Sequence, residues 1–398
     1  MKNILSPILL LVFALLFVTG CDRDSNVDGM FDDDDDGDVT EQVLEGTLNA
    51  VRVSASMTID GTDADAIWSQ AAPTYFTAKV ADIDAFKGYG NRQYSGQVKA
   101  AFDSEYLYLL FQYNDATYST AREPWYFDTA AGKWAQESRN PQFNADGLMT
   151  RKGFYEDKLS VMWEASPVAG FFEAGCGVAC HVGLSPFQSE GGKSALKYTN
   201  NFGEVMDMWH FKYVRTGGNW ARLMDDQYTD WTSTNGNGGR HSDAGTGHYA
   251  NNKATVDGMS VPKYVIPNAT ETYSWINTDQ IASGEAQEVV GVMADGSLKL
   301  ANGGVLDISN PALHRDGALN PPSVYARPGS GDRADIEAIA TYGSNKWTVE
   351  IKRKLVTGSE TDVQFDTMSK TYPFGVAIFD DAGIAHATSS VRYLKFAQ

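Results

Sequence analysis

Three residues near the middle of the chain have the types and spacing of a covalent cofactor site. Cys176 and Cys180 are separated by three residues, and His181 follows directly. Two thiols can form thioethers with the two vinyl groups of one porphyrin, and the adjacent imidazole can then bind its iron. The usual spacing leaves two residues between the cysteines, but a CxxxCH variant occurs. The pattern therefore predicts one covalent haem c on Cys176 and Cys180, with His181 as an iron ligand.

Other uses of this cysteine pair stay open. A spacing of four would place both thiols on one face of a helical turn, where they could also form a disulfide. A structural zinc site would need further thiolate or histidine ligands, and the third cysteine of the chain, Cys21, lies far away in sequence. A cuprous or redox-active dithiol site is a further alternative.

The second iron ligand is expected in the segment 204–215. As a β-strand it has a period of two, so Met206, Met208, His210 and Lys212 share one face, and its aromatic residues share the other. His210 is the first candidate and Met208 the second. Ligation by two histidines favours a lower reduction potential than ligation by His and Met. The alternative is an ordinary strand with an aromatic core face and a mixed solvent face.

Several basic side chains are candidates to bind the haem propionates. Lys212, Arg215 and Arg240 are close in sequence to the predicted ligands, and arginine binds carboxylates in a bidentate manner. His241 lies in a glycine-rich loop that could approach the haem edge. The remaining histidines are expected on the surface: His248, His314 and His386.

The N-terminal residues predict export. Residues 4–18 are almost wholly apolar and too short to span a bilayer comfortably, which indicates a signal peptide at 1–20. Small residues precede Cys21, as in a bacterial lipobox, so we expect Cys21 to be acylated and to anchor the protein to a membrane. Ordinary cleavage with a free Cys21 is the alternative. Residues 21–45 are rich in Asp and predict a disordered acidic tether rather than a calcium loop.

Composition restricts the possible partners. The formal net charge of −19 argues against binding to nucleic acid or to an anionic membrane surface. No later segment approaches the roughly 18 apolar residues of a transmembrane helix. Acidic proteins of this kind suit docking to a basic redox protein, by attraction that weakens as salt rises.

Many short β-type segments joined by polar turns predict a mainly β protein. Residues 96–103 and 106–115 form a predicted hairpin, and five later segments continue the pattern: 157–163, 336–342, 347–355, 374–380 and 391–396. Such an arrangement favours an antiparallel, immunoglobulin-like β-sandwich over residues 46–398. The haem attachment and loop insertion are expected at about 165–260.

The order of several motifs resembles the ethylbenzene dehydrogenase-related haem-binding family, which includes the haem subunits of DMSO-reductase-type molybdoenzymes. The motifs are the opening Ile59-Asp60-Gly61 with Trp68, the 96–115 hairpin, the segment 157–163, the segment 207–212, and 347–355. The resemblance covers residues 46–398. It implies a sandwich akin to family 9 carbohydrate-binding modules. Family members that are haem subunits hold a b haem through Met and Lys, whereas Cys176, Cys180 and His181 resemble the c-type branch.

Together these features predict an electron-transfer protein rather than an enzyme. We expect a periplasmic or surface c-type cytochrome lipoprotein whose partner is another cytochrome or a molybdoenzyme. One alternative is an extracellular carbohydrate-binding-like lipoprotein with a Cys176–Cys180 disulfide and no haem. A second alternative is an enzyme with an open coordination position at the haem.

Overall fold

The structure, a computed structural model, describes residues 44–54, 56–180, 197–232 and 239–397. The predicted signal peptide, Cys21, nearly all of the acidic tether and His181 lie outside these residues. The described residues belong to one compact unit, Val43–Gln398. Within these ranges, no helix has both the length and the apolar character needed to cross a membrane.

Short β-strands make up most of the regular structure. In chain order they are β1 (Thr47–Arg52), β2 (Thr74–Val80), β3 (Gln93–Phe102), β4 (Tyr106–Asn114), β5 (Trp125–Asp128), β6 (Lys133–Gln136), β7 (Gln142–Phe143), β8 (Met149–Arg151), β9 (Lys158–Glu164), β10 (Met206–Lys212), β11 (Asp225–Thr229), β12 (Arg240–Ser242), β13 (Tyr249–Asn251), β14 (Ala254–Val256), β15 (Met259–Val261), β16 (Tyr264–Val265), β17 (Ile276–Asn277), β18 (Gln287–Val292), β19 (Leu298–Leu300), β20 (Val305–Leu306), β21 (Val324–Ala326), β22 (Glu337–Gly343), β23 (Lys346–Lys354), β24 (Tyr372–Phe379), β25 (Ala387–Thr388) and β26 (Arg392–Phe396). The α-helices are short: α1 (Ala66–Gln70), α2 (Phe171–Ala174) and α3 (Thr278–Ser283).

Thirteen strands form one large sheet. Its path runs β12–β11–β10–β9–β24–β25–β2–β3–β4–β23–β22, and β1 and β26 make a second connection between β3 and β24. The sheet is therefore closed in its middle, so its two arms fold over each other. Most pairings are antiparallel, but β1 runs parallel to both β26 and β3. Parallel neighbours need a long connection, which α1 and β2 provide between β1 and β3.

The main core lies between the two arms of the sheet. Trp163 on β9 and Trp209 on β10 belong to the same buried cluster as Phe111 on β4 and Ile351 on β23. Period-two alternation accounts for this arrangement, and β2 alternates strictly between buried and exposed residues. The prediction of a mainly β, sandwich-like fold is confirmed, with the parallel pairings of β1 as the difference from a purely antiparallel sandwich.

A smaller core lies beside the main sheet. Trp125, Trp134, Val261 and Leu298 belong to it, and its strands come from two separated parts of the chain. Strands β10, β11 and β12, by contrast, belong to the main sheet. The predicted insertion at 165–260 thus includes three strands of the sheet that positions the candidate site.

Candidate functional site

A short helical segment carries the two cysteines and holds Cys176 against the outer face of β24, which is the face turned away from the main core. Helix α2 ends at Gly175, whose φ of 55° is a conformation that glycine adopts readily. The chain then forms a 3₁₀ turn, Gly175–Ala179. Cys176 points inward and its Sγ packs so closely on Gly375 that a Cβ there would lie 3.1 Å from it. Burial raises the pKa of the Cys176 thiol.

Cys180 differs from Cys176 in its surroundings. It is exposed, and no disulfide joins it to Cys176. The prediction that the two thiols share one helical face is wrong, because the segment is a 3₁₀ turn with three residues per turn rather than an α-helical turn. Cys180 forms an isolated β-bridge with Lys197. Lys197 also lines a cavity beside the sheet.

Strand β10 has the two faces that its sequence predicts. Trp209 and Phe211 belong to the main core between the sheet arms, whereas Met206 and Met208 pack in the same cluster as Cys176. Every residue of β10 is buried. The face that carries Met208 and His210 is therefore not a solvent face, because α2 and the cysteine turn cover part of it.

The strand register arranges this outer face in rows. Met208 lies opposite Met162 of β9, and Met162 lies opposite Gly375 of β24. In the next row, His210 lies opposite Ser160, which lies opposite Ala377. Small side chains at these positions leave space above the sheet next to Cys176.

His210 is a neutral imidazole with one nitrogen available. Its Nδ1 lies 3.3 Å from Oε1 of Gln227, and its Nε2 is buried with no hydrogen-bond partner among the described residues. Burial, reinforced by the nearby Lys212 and Lys158 ammonium groups, lowers the pKa of His210 well below 6.5. A neutral imidazole with an unpartnered nitrogen is the form that binds a metal.

Two further rings continue the site from His210. Phe379 stacks on His210 with ring centroids 5.4 Å apart, and His386 stacks on Phe379 at 4.9 Å. Nδ1 of His386 lies 2.7 Å from the carbonyl oxygen of Ile384. His386, expected on the surface, thus lies half-buried in the site.

A cavity of about 210 Å³ lies above these rings. It is lined by Phe86, Arg139, Tyr155, Lys158, Lys197, Met208, His210, Arg215, Arg240, Phe379, Gly383, Ile384 and His386. Five of these side chains are Lys or Arg, and none of the described lining residues carries a carboxylate. Such a lining favours an anionic ligand, in a chain whose formal net charge is −19.

Lys158 is the most unusual of these cations. Its Nζ lies 3.9 Å from the ring centroid of Phe379 and donates a hydrogen bond of 3.1 Å to the Gly383 carbonyl oxygen. Burial, together with nearby Arg215, lowers the pKa of Lys158 well below 10.5. An incoming carboxylate would therefore stabilise the charged form of Lys158.

The cations predicted for the propionates have different surroundings. Arg215 lines the cavity, but its Nε already donates to Glu156 Oε1 at 2.6 Å. Arg240 also lines the cavity. Lys212 does not, because its Nζ forms a buried ion pair with Asp225. Although burial opposes it, Lys212 and Arg333 hold the pKa of Asp225 well below its usual range.

The remaining histidines lie away from the cavity. His241 is on β12 and contacts Asp230 Oδ1 at 3.0 Å. His314 is partly buried and contacts the Ile308 carbonyl oxygen. His248 is fully buried rather than on the surface, and burial lowers its pKa to about 4. Lys158, Lys197, Arg139 and His386 were not predicted, since they come from four separate segments that only the fold brings together.

The geometry provides the two kinds of group that a haem c site needs, which are thiols for attachment and a ligand for the iron. Cys176 and Cys180 provide thiols, and Met208 belongs both to the Cys176 cluster and to the cavity lining. His210 provides a buried nitrogen that no described residue satisfies. The cavity is smaller than the ~300–1,000 Å³ of typical ligand pockets, so a porphyrin would also have to extend outside it.

Comparisons with known proteins identify the family. No curated protein sequence matches the chain. Among solved structures, a family 9 carbohydrate-binding module from Caldicellulosiruptor kristjanssonii in complex with glucose has 8% identity and a TM-score of 0.30, over 88% of this chain and 95% of that chain. The same module with cellotriose has 9% identity and a TM-score of 0.30, over 88% and 93% of the two chains.

A family model described as ethylbenzene dehydrogenase matches residues 65–390. This span contains both cysteines of the described turn, strand β10 and the described residues that line the cavity. The chain therefore belongs to the ethylbenzene dehydrogenase family.

Proposed function

We propose that the protein is a c-type cytochrome that transfers single electrons through one haem c attached to Cys176 and Cys180. The observation that carries this proposal is the unpartnered, buried Nε2 of His210, held at a cation-lined cavity that shares Met208 with the Cys176 cluster. The haem would belong to the CxxxCH branch of the family. His181, which lies outside the described residues, would be its first iron ligand.

His210 is the preferred second ligand, with Met208 next. Gln227 Oε1 accepts from Nδ1–H of His210 and so favours the tautomer whose Nε2 lone pair is free. When bound, the haem supplies reversible one-electron chemistry. Two protein ligands would leave no open iron position for a substrate, which favours electron transfer over catalysis.

The cations of the cavity would bind the propionates. Arg240, Lys158, Lys197 and Arg139 bring positive charge to the cavity, while Arg215 is held by Glu156. Burying carboxylates beside cations favours their charged form and fixes the orientation of the group. Lys212 would not bind a propionate directly, because it is paired with Asp225, and it contacts His210 only through Gln227.

The sequence supports a proposal for the location and the partners of the protein. We propose that acylation of Cys21 anchors the protein to a membrane, facing the periplasm or the cell surface. Its partner would be another cytochrome or a molybdoenzyme, and the protein would not bind nucleic acid. Whether it works alone or as a subunit of an oxidoreductase depends on that partner.

Covalent haem is tested by expression in a host with cytochrome c maturation. We expect a pyridine haemochrome spectrum that persists after acid-acetone extraction, and an intact mass increased by one haem. The double variant Cys176→Ser/Cys180→Ser should lose both, whereas the control Cys21→Ser should keep the haem and lose only the lipid. A loss of two hydrogens at Cys176 and Cys180, without haem, would show a disulfide and contradict the proposal.

A second candidate function is carbohydrate binding at a different place. An open cleft of about 730 Å³ is lined by Tyr118, Tyr273 and Trp275, among other residues. Tyr118 is 45% exposed and stacks on Tyr342 with centroids 5.1 Å apart. Aromatic faces of this kind can pack on sugar rings. Calorimetry with soluble oligosaccharides, repeated with Trp275→Ala, tests this candidate, and unchanged affinity in that variant would exclude the cleft.

A further inference from the structure

Four carboxyl groups and one guanidinium are buried together on the core side of β10 and β11. Asp207 is on β10, Asp226 on β11, Asp243 directly after β12, and Asp362 in the connection between β23 and β24. None of the four is more than 4% exposed. Arg353 of β23 lies over the Trp209 ring, so it reaches across the main core to the same cluster.

Each carboxyl group has one oxygen that is satisfied. The hydrogen bonds are Trp209 Nε1 to Asp207 Oδ2 at 2.9 Å, the Gln227 amide to Asp226 Oδ1 at 2.9 Å, Thr361 Oγ1 to Asp243 Oδ1 at 2.5 Å, and Thr357 Oγ1 to Asp362 Oδ2 at 2.7 Å. These donors fix the orientation of every carboxyl group, which makes the second oxygen of each one informative.

The second oxygen of each group has no hydrogen-bond partner among the described residues. The four atoms are Asp207 Oδ1, Asp226 Oδ2, Asp243 Oδ2 and Asp362 Oδ1. Arg353 does not serve them, because its Nη2 lies 3.0 Å from Asp362 Oδ2 and 3.7 Å from Asp207 Oδ2, both already satisfied. Buried polar atoms are nearly always paired. One oxygen from each of Asp226, Asp243 and Asp362 lies within 4.8 Å of the other two, so these three groups can share one partner.

The charges of the cluster point to the nature of that partner. Four carboxylates face one guanidinium, which leaves an excess of negative charge in a buried place. Burial, with the neighbouring carboxylates, raises the pKa of Asp226 well above its usual range. Burial likewise raises the pKa of Asp243 to about 6. The cluster must therefore take up either protons or a cation.

We propose that Asp226, Asp243 and Asp362 bind a calcium ion, with Asp207 next to them. Each of the three offers an oxygen atom, and these atoms lie within 4.8 Å of one another. A calcium ion takes oxygen ligands at ~2.3–2.6 Å. Two oxygens on opposite sides of the ion are therefore separated by twice that length, which is close to the 4.8 Å within which these atoms lie. The site lies on the core side of the sheet, whereas the haem cavity lies on its outer face.

Calcium fits this cluster better than magnesium does. Calcium accepts several carboxylates in irregular geometry, whereas magnesium requires near-octahedral geometry and usually keeps several waters. The ion would join β11 and the end of β12 to the connection between β23 and β24, and so would link the two arms of the sheet. Its role would be structural, and binding would stabilise the folded state.

A second acidic cluster in the molecule provides a contrast. Asp115, Asp157 and Asp380 also bring oxygens together. Here Asp157 accepts from the Ser119 amide on one oxygen and from the Asp381 amide on the other. Asp380 pairs with Arg92 at 3.3 Å. Among these three groups only Asp115 keeps an unpartnered oxygen, so the protein itself satisfies most of this cluster, which serves as a control.

The test is calcium titration of the full-length protein after removal of metal with EGTA. At pH 7.5 we expect saturable binding by calorimetry and a rise in Tm of about 4 °C at a hundredfold excess over Kd. Magnesium should give a much smaller rise. Asp226→Asn and Asp243→Asn should lose the calcium-dependent rise in Tm, while Asp115→Asn should retain it.

Two results would overturn the proposal. In the first, calcium has no effect on the Tm of the unmodified protein, which decides the question even if a variant does not fold. In the second, Asp226→Asn is more stable than the unmodified protein and both respond equally to calcium. That outcome would mean that the cluster holds protons and that any calcium binds elsewhere, for example at the acidic run before residue 44.

Discussion

His210 combines three properties that suit an iron ligand and, unlike His248, which shares them, it lines the cavity. It is buried, it is neutral, and its Nε2 has no described partner. Nζ of Lys212, which can only donate, lies 3.5 Å from Oε1 of Gln227. This contact fixes the orientation of the Gln227 amide, and Nδ1 of His210 must then carry the proton. Lys212 thus determines, through the Gln227 amide, that Nε2 of His210 is the nitrogen without a proton.

Replacing His210 tests its proposed role as an iron ligand. We expect His210→Ala to retain covalent haem but to lose the six-coordinate, low-spin spectrum and to bind carbon monoxide. Met208→Leu is the matched control on the same face of β10, and it should leave the low-spin spectrum unchanged because it nearly conserves volume. The opposite pattern, with a change only in Met208→Leu, would make Met208 the ligand.

His248 gives a prediction about stability and pH. Its pKa falls from 6.5 to about 4 on folding, mainly through burial. Between these pH values the unfolded state binds a proton that the folded state excludes, so stability is present above pH 6.5 and is lost as pH falls. The loss is about 1.4 kcal/mol per pH unit and about 3 kcal/mol in total.

Urea unfolding at pH 7.5, 6.0 and 5.0 measures this dependence. Other groups titrate in the same range, so the relevant quantity is the difference between the protein and His248→Phe. As pH falls, the free energy of unfolding of the unmodified protein should decrease relative to that of His248→Phe. Parallel pH profiles for the two proteins would show that folding does not change the pKa of His248.

At the scale of elements, the sequence predicted local features of single strands but not contacts between distant segments. The alternation in β10 predicted both of its faces, because the period of a strand depends only on the backbone. The 3₁₀ turn of the cysteines was not predicted, since the spacing of the cysteines does not reveal that α2 ends at Gly175 with a positive φ. The cavity could not be found from spacing at all, because Lys158, Lys197 and His386 become neighbours only through the order of strands in the sheet.

The contact between β24 and the cysteine turn is open to a direct test. In Gly375→Ala, the new Cβ would lie 3.1 Å from Cys176 Sγ, so the turn must shift away from the sheet. We expect a loss of about 1–3 kcal/mol in free energy of unfolding and a lower yield of covalent haem. Gly177→Ala on the same turn is the control, because its Cβ would meet no described atom within 4 Å. Equal effects of the two variants would contradict this assignment.

At the scale of the whole molecule, charge is unevenly distributed. The chain has a formal net charge of −19, yet five Lys or Arg side chains line one cavity. Propionates would neutralise part of that positive charge once haem is bound. A docking partner would then experience mainly the negative field of the rest of the protein.

This distribution predicts the salt dependence of electron transfer. With a basic c-type cytochrome as the partner, the second-order rate constant should fall at least tenfold between 10 mM and 500 mM salt, because the Debye length shrinks from ~30 Å to a few ångströms. Stopped-flow mixing of the reduced protein with the oxidised partner measures it, and an acidic cytochrome serves as the control. A rate that rises with salt for the basic partner would mean that the cationic cavity rim, rather than the net charge, directs docking.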